Sequence, residues 1–258
     1  MQALGRNAGS LQSQQHSRVL PRRPQQQVVQ QQRRRPVQGV SRARAIRAVS
    51  MFTGIVQGLA EVVDVSRAEG LSRVNIRLPP GRAANIQIGA SVAINGTCLT
   101  VTAADGDMLS FDIMSETLRA TNLGGLEVGK SVNYERSARV GDEIGGHNVS
   151  GHVHTKAVIS AVEETPNNRR VVFELPDDSW MKYILPKGFI SVDGCSLTVG
   201  EVEGRTFSVY LIPETLRVTV FGLKGEGDSV NIEVEAQTQA IVDTVERVVA
   251  RYMAQRGL

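Results

Sequence analysis

The 258 residues are 41% hydrophobic, enough for a sizeable core, and no apolar run reaches the roughly 18 residues of a membrane-spanning helix. Two cysteines, Cys98 and Cys195, exclude a disulfide framework and a four-cysteine zinc site. The net charge of +3 divides unevenly: residues 1–50 hold ten of the 29 basic residues and no acid, so that leader is +10, and the other 19 face all 26 acids, so the body is −7. The basic balance belongs to the leader and is no nucleic-acid signature of the fold.

In the leader every cation is arginine, eleven residues are glutamine, and no aromatic residue or sustained apolar period is present. Nothing there can bury a face. Many arginines without acids, ending in Arg44-Ala45-Ile46-Arg47-Ala48-Val49-Ser50, read as an organelle transit peptide, while the missing apolar core disfavours a secretory signal. A plain basic tail and an RNA-binding arm are the alternatives. Chloroplast and mitochondrial leaders share this composition.

From Met51 onward the chain repeats itself. Asn95-Gly96-Thr97-Cys98-Leu99-Thr100-Val101 returns 98 residues later as Asp193-Gly194-Cys195-Ser196-Leu197-Thr198-Val199. Ser115-Glu116-Thr117-Leu118-Arg119 and Gly129-Lys130-Ser131-Val132-Asn133 return at the same offset, and Thr53-Gly54-Ile55-Val56 matches Ser150-Gly151-His152-Val153 at 97. Four blocks in one order at nearly one offset mark a tandem duplication.

In chain order, Val74-Asn75-Ile76-Arg77-Leu78 alternates apolar and polar and stops at Pro79-Pro80, as a half-buried strand does. Asn95-Gly96 and Asp193-Gly194 are hairpin-turn dipeptides. Ser110–Met114, Thr206–Leu211 and Ser229–Glu235 alternate in the same way. Strands at this spacing, with no long helical pattern between them, predict an all-β fold, one small antiparallel barrel per copy. The C-terminus differs: Ile241, Val245, Val248 and Tyr252 form one helical stripe, flanked by the i, i+4 pair Asp243 and Arg247. That stripe packs on its own barrel or serves self-association; the pattern allows both.

The chemistry-bearing residues are few. His147, His152 and His154 lie close in sequence; a satisfied structural role is the default, with a metal pair as the alternative. Repeat symmetry singles out His152, whose counterpart is Ile55, and Cys98, whose counterpart is Ser196. A lone cysteine is a candidate nucleophile or a small buried hydrophobe. Glu116 and Glu214 fit helix-start capping. There is no Gly-x-Gly-x-x-Gly after a strand and no phosphate loop.

Met51-Phe52-Thr53-Gly54-Ile55-Val56 resembles the opening of the riboflavin synthase family of the trimeric, lumazine-binding kind. The likeness continues through residues 95–102, 114–124, 142–152, 181–190, 193–202, 211–217 and 231–247, in the family's order in both copies. The resemblance implies two tandem six-stranded Greek-key barrels, at 51–147 and 148–238, and a C-terminal helix at 239–258 that builds a homotrimer. It implies transfer of a four-carbon unit between two molecules of 6,7-dimethyl-8-ribityllumazine, with no metal, no organic cofactor, no nucleic acid and no membrane partner. It places the protein in the plastid, with the mitochondrion as alternative, and names lumazine synthase as a further partner.

Carried over residue by residue, the resemblance assigns Gly54, Ile55, Val56, Cys98, Leu99, Thr100, Asp112, Ile113, Met114, Ser115, Glu116 and Thr117 to a first lumazine site. The second takes Gly151, His152, Val153, Lys187, Ser196, Leu197, Thr198, Leu211, Ile212, Pro213, Glu214, Thr215 and Leu216. His152 is the expected proton carrier, Cys98, Ser196 and Thr198 position or activate a nucleophile, and Phe52 helps hold the ligand pair. Glu235 stands where the family often has a catalytic aspartate. The rival is a non-catalytic lumazine- or flavin-binding antenna protein of the same fold.

Overall fold

The computed structural model describes residues 51–257, so the transit-peptide reading of residues 1–50 lies outside them. The first repeat runs β1 (Gly58–Ala68), β2 (Leu71–Arg77), β3 (Ser91–Ile94), β4 (Thr97–Asp105), β5 (Met108–Met114), α1 (Ser115–Ala120) and β6 (Ser131–Arg136). Its strands close into an antiparallel barrel in the order β1-β2-β5-β4-β3-β6, with β6 returning to β1. The predicted alternation carries this: Val74 and Ile76 are buried, while Arg77 points outward to Glu61.

The second repeat runs β7 (Thr155–Glu164), β8 (Arg169–Glu174), β9 (Phe189–Val192), β10 (Cys195–Thr198), β11 (Val202–Glu203), β12 (Thr206–Leu211), α2 (Pro213–Val218) and β13 (Ser229–Val234). Here the expected six-stranded barrel gives way to a seven-stranded sheet, β10-β9-β13-β7-β8-β12-β11. Its two outer members are the halves of the strand that repeat one keeps whole as β4. Repeat one accommodates a bulge between Val101 and Ala103. At the matching place in repeat two, Gly200 passes so close to β12 that a Cβ would lie 2.5 Å from Ser208 Oγ. The halves stay tied to β12, as Gly200 N donates to Ser208 O and Ser208 N to Glu201 O.

Helices α1 and α2, six residues each, are too short to show a helical period in the sequence. Glu116 and Glu214 do not cap them. Each instead pairs three residues on, with Arg119 and Arg217, at 2.6 Å.

The repeats meet at their hairpin turns. Asn95 and Asp193 hold φ of 44° and 47°, and the glycines after them 75° and 80°. A Cβ on Gly96 would lie 2.5 Å from Gly194 N, so the turns stack at a distance only glycine permits. Buried amides cross between repeats: Asn133 Nδ2 donates to Asp193 O (2.9 Å) and Asn231 Nδ2 to Asn95 O (2.8 Å). Polar groups buried this deeply must be satisfied, and these satisfy one another across a local dyad.

The last strand leads into α3 (Ala236–Arg256), closed by Gly257 with φ 69°. Val242 packs on the repeat-two core, Asp243 accepts from Tyr183 Oη (2.5 Å), and Glu246 pairs with Lys182 (2.6 Å). Asp243 thus binds across to the barrel instead of along the helix to Arg247. The predicted stripe stays uncovered: Ile241, Val245, Val248 and Tyr252 are 51–65% exposed. Packing on its own barrel is therefore not what the stripe does.

Candidate functional site

Each reactive position is covered by a loop from the other repeat. Residues 52–56 precede β1, yet Gly54 O accepts the backbone N–H of Ser196 on β10 (2.8 Å), and Val56 packs on the repeat-two core. Residues 150–153 precede β7, yet Gly151 O accepts the N–H of Cys98 on β4 (2.9 Å). Both glycines have φ near 80°, and a Cβ on either would lie 2.5–2.6 Å from the Cβ of Ser196 or Cys98. The grouping by chain order expected from the sequence is thereby corrected: Gly54–Val56 belongs with Ser196, and Gly151–Val153 with Cys98.

Around Cys98 a cavity of about 210 Å³ is lined by Thr97, Glu116, Thr117, Thr121, Gly151, His152 and Val153. Ser115 and Thr100, neighbours in sequence of these residues, are exposed. By the repeat offset, Ser196, Leu197, Thr198, Pro213, Glu214 and Thr215 hold the matching positions in the second repeat, where α2 follows β12 as α1 follows β5. Met114 and Ile212 occupy matched positions before the two helices and are 62% and 59% exposed, apolar surface available to a flat ring.

Leu99, Ile113 and Leu211, expected as ligand contacts, are buried in the barrel cores, and Leu216 packs against the second core. Strand alternation turns the first three inward, away from the outer face of the barrel. Asp112 is engaged by Arg73 (2.8 Å), whose hydrogen bonds hold its carboxyl below the usual range. Phe52 is also corrected: its two backbone bonds to Val149 turn the ring into a small fully buried cluster with Ala93, behind Cys98. Cys98 packs against this cluster, so in the protomer the ring backs Cys98 and is not itself exposed.

Lys187 is exposed and held at φ 67°, where repeat one has Gly89 at 88°. The other described non-glycine residues with positive φ are asparagine or aspartate. Lysine gains nothing locally from this conformation, which costs on the order of 1–2 kcal/mol, so the strain marks a position kept for its side chain.

The most informative side chain is one expected to be structural. His147 Nδ1 lies 2.6 Å from Ser196 Oγ, and the ring stacks on Phe189 at 5.2 Å. Burial pushes its pKa below the ordinary value, against an opposing pull from the Glu235 carboxylate. Its sequence signal was the preceding Gly145-Gly146: a Cβ on Gly146 would sit 2.2 Å from Thr53 O and 2.7 Å from Ser196 Cβ. Glu235 caps α3, with Oε2 accepting from Thr238 N (2.6 Å) and Oγ1 (2.8 Å), and Oε1 from Gln237 N (3.0 Å). Burial acts upward on its pKa, but these bonds prevail and hold the carboxylate ionised. Both oxygens are thus engaged in the cap, and the carboxylate's charge opposes the effect of burial on His147.

His152 is exposed at the Cys98 cavity. His154 accepts from Val234 N (3.2 Å) and rests on Trp180 (4.7 Å), so the three histidines do not converge. Burial lowers the pKa of His147 and of His154 relative to the unfolded chain. The unfolded state then binds protons first as pH falls through the ordinary histidine value of about 6.5, and stability declines below that value. The thermal midpoint is expected to drop between about pH 7 and 5, and less steeply in His154→Gln; parallel profiles for parent and variant would defeat this.

A family model for the lumazine binding domain matches residues 53–137 and again 150–235. Riboflavin synthase of Escherichia coli is 54% identical over 200 residues, 78% of this chain and 94% of that protein. The riboflavin synthases of Chlamydia pneumoniae and Meyerozyma guilliermondii are 43% and 38% identical, covering 78% and 79% of this chain and 98% and 89% of theirs. The crystal structure of LumP complexed with riboflavin superposes with a TM-score of 0.67 at 27% identity, over 71% of this chain and 99% of that one. With two lumazine-binding repeats in one chain, and identity sustained over nearly the whole length of these relatives, the chain belongs to the riboflavin synthase family.

Proposed function

We propose that the chain converts two molecules of 6,7-dimethyl-8-ribityllumazine into riboflavin and 5-amino-6-(D-ribitylamino)uracil by moving a four-carbon unit from one to the other. The observation that carries this is the pair of matched sites with unlike chemistry, Cys98 with His152 in one and Ser196 with His147 in the other. Two identical molecules must act as donor and acceptor, which requires two similar sites that differ. The products together contain the atoms of the two substrates, so no oxidant is consumed.

The residues divide the work. Exposed backbone edges beside Thr100 and Thr198, and around α1 and α2, pair with the pyrimidinedione as an added strand would. Met114 and Ile212 cover ring faces. With the ring proton on Nε2, neutral His147 accepts the hydroxyl proton of Ser196 at 2.6 Å, which raises the nucleophilicity of that oxygen or of a water it orients. His152, at the rim of the Cys98 cavity, is placed to take a proton from the ring methyl of the lumazine there. Holding two rings face to face supplies much of the rate. We further propose that protomers assemble as a trimer through the Ile241, Val245, Val248 and Tyr252 stripe, whose 4-3-4 spacing is that of a coiled-coil seam.

The test is an assay of residues 51–258 with the lumazine alone, following flavin absorbance. Riboflavin formation without additions is expected, and Cys98→Ser should lower turnover by about tenfold or more while ligand affinity changes less, each tenfold being about 1.4 kcal/mol. Tight lumazine binding without any flavin would overturn the reading in favour of an antenna protein, the reading that likeness to LumP supports.

A further inference from the structure

We propose that Glu135 and Glu233 are positioning residues that act across the repeats, each fixing the loop that covers the other repeat's reactive side chain. Glu135 is the last residue but one of β6, and Glu233 holds the same place on β13. Both are nearly fully buried, and among the described residues neither has a cation within ion-pair distance. Their partners are all donors. Glu135 accepts from Thr53 N (2.6 Å), Thr53 Oγ1 (2.9 Å) and Gly54 N (3.1 Å). Glu233 accepts from Ser150 N (2.7 Å), Ser150 Oγ (2.7 Å) and Gly151 N (3.0 Å).

The next link in each chain crosses the dyad. The loop gripped by Glu233 gives its Gly151 carbonyl to Cys98 N, and the loop gripped by Glu135 gives its Gly54 carbonyl to Ser196 N. The repeat that supplies the carboxylate is therefore not the repeat whose site it shapes. A carboxylate is acceptor-only on both oxygens, which suits a serine or threonine on one and a glycine N–H on the other. Glutamine of the same shape turns an NH₂ toward one of those donors, and the loop loses its grip.

The proposal rests on the reading of Cys98 and Ser196 as lumazine-site residues, but alkylation needs neither ligand nor turnover, so the two can fail separately. The experiment measures iodoacetamide modification of Cys98 by mass spectrometry in the parent, Glu233→Gln and Glu135→Gln. Buried Cys195, its thiol pushed up to about 12 by desolvation, is the internal control for unfolding. Cys98 is expected to react about tenfold faster in Glu233→Gln and within about twofold of the parent in Glu135→Gln, Cys195 staying unreactive in both. A Ser196→Cys background should show the reverse selectivity. Equal acceleration by either variant, or acceleration of Cys98 by Glu135→Gln alone, would overturn the proposal. If Cys195 reacts as well, Ser150→Ala and Thr53→Ala replace the glutamine variants and must show the same crossed selectivity; uniform rates there reject it.

Discussion

Gly146→Ala is expected to cut turnover by at least about two orders of magnitude while both barrel cores stay intact. The added Cβ has two neighbours it cannot avoid, Thr53 O at 2.2 Å and Ser196 Cβ at 2.7 Å, and the first is backbone. Thr53 O also accepts from His147 N (3.1 Å), so relieving the clash drags His147 away from Ser196 Oγ. A displacement of about 1 Å in a positioned group costs on the order of 10²-fold in rate. Gly145→Ala is the control, because its Cβ meets only the flexible Ile55 side chain, at 3.5 Å. Steady-state rates and near-ultraviolet circular dichroism of both variants decide the matter. Equal activity in the two would mean that the His147–Ser196 contact has no part in the reaction.

The double substitution Val245→Asp, Tyr252→Asp is expected to dissociate the assembly and abolish turnover, with riboflavin binding retained. Both side chains are more than half exposed, and no residue of α3 is buried in the protomer, so the protomer fold has little to lose. In the proposed trimer each large apolar side chain contributes roughly 1.5–3 kcal/mol by burial, and a charge in its place costs more. Arg247→Glu, which lies off the stripe, should leave the oligomer unchanged. Sedimentation velocity reads the result; a trimer that survives the double substitution would remove the stripe from the assembly.

Legibility in the sequence followed what repeats preserve. Turn residues at Asn95-Gly96 and Asp193-Gly194, the alternating strands and the exposed helical stripe were all readable, because each depends on local pattern. The division of that strand at Gly200 was not, since one glycine in a strand does not say whether the ladder bends or breaks. The crossing of the loops was hidden for a deeper reason: an offset of 97 equates Gly54 with Gly151, but does not tell which of Cys98 and Ser196 either one touches. Chain order favoured the nearer partner, and the dyad chose the farther one. His147 was hidden because it lies in the linker between repeats, outside the comparison that made His152 stand out. Phe52 and Glu235 were visible as residues but not as roles, because an inward ring and an occupied helix cap appear only once neighbours are placed.

The exchange of loops also sets an order of events on the ribosome. Residues 52–56 emerge before any strand of either repeat, yet Val56 has no seat until the second core exists and Gly54 O has no partner until Ser196 arrives. Glu135, emerging earlier than either, can already hold Thr53 and Gly54. The first barrel therefore closes with its opening segment tethered and waiting, and its own cavity is completed as soon as Gly151 clears the tunnel. The second repeat is then expected to condense against a finished surface instead of searching alone, replacing a distant encounter with a prepared one.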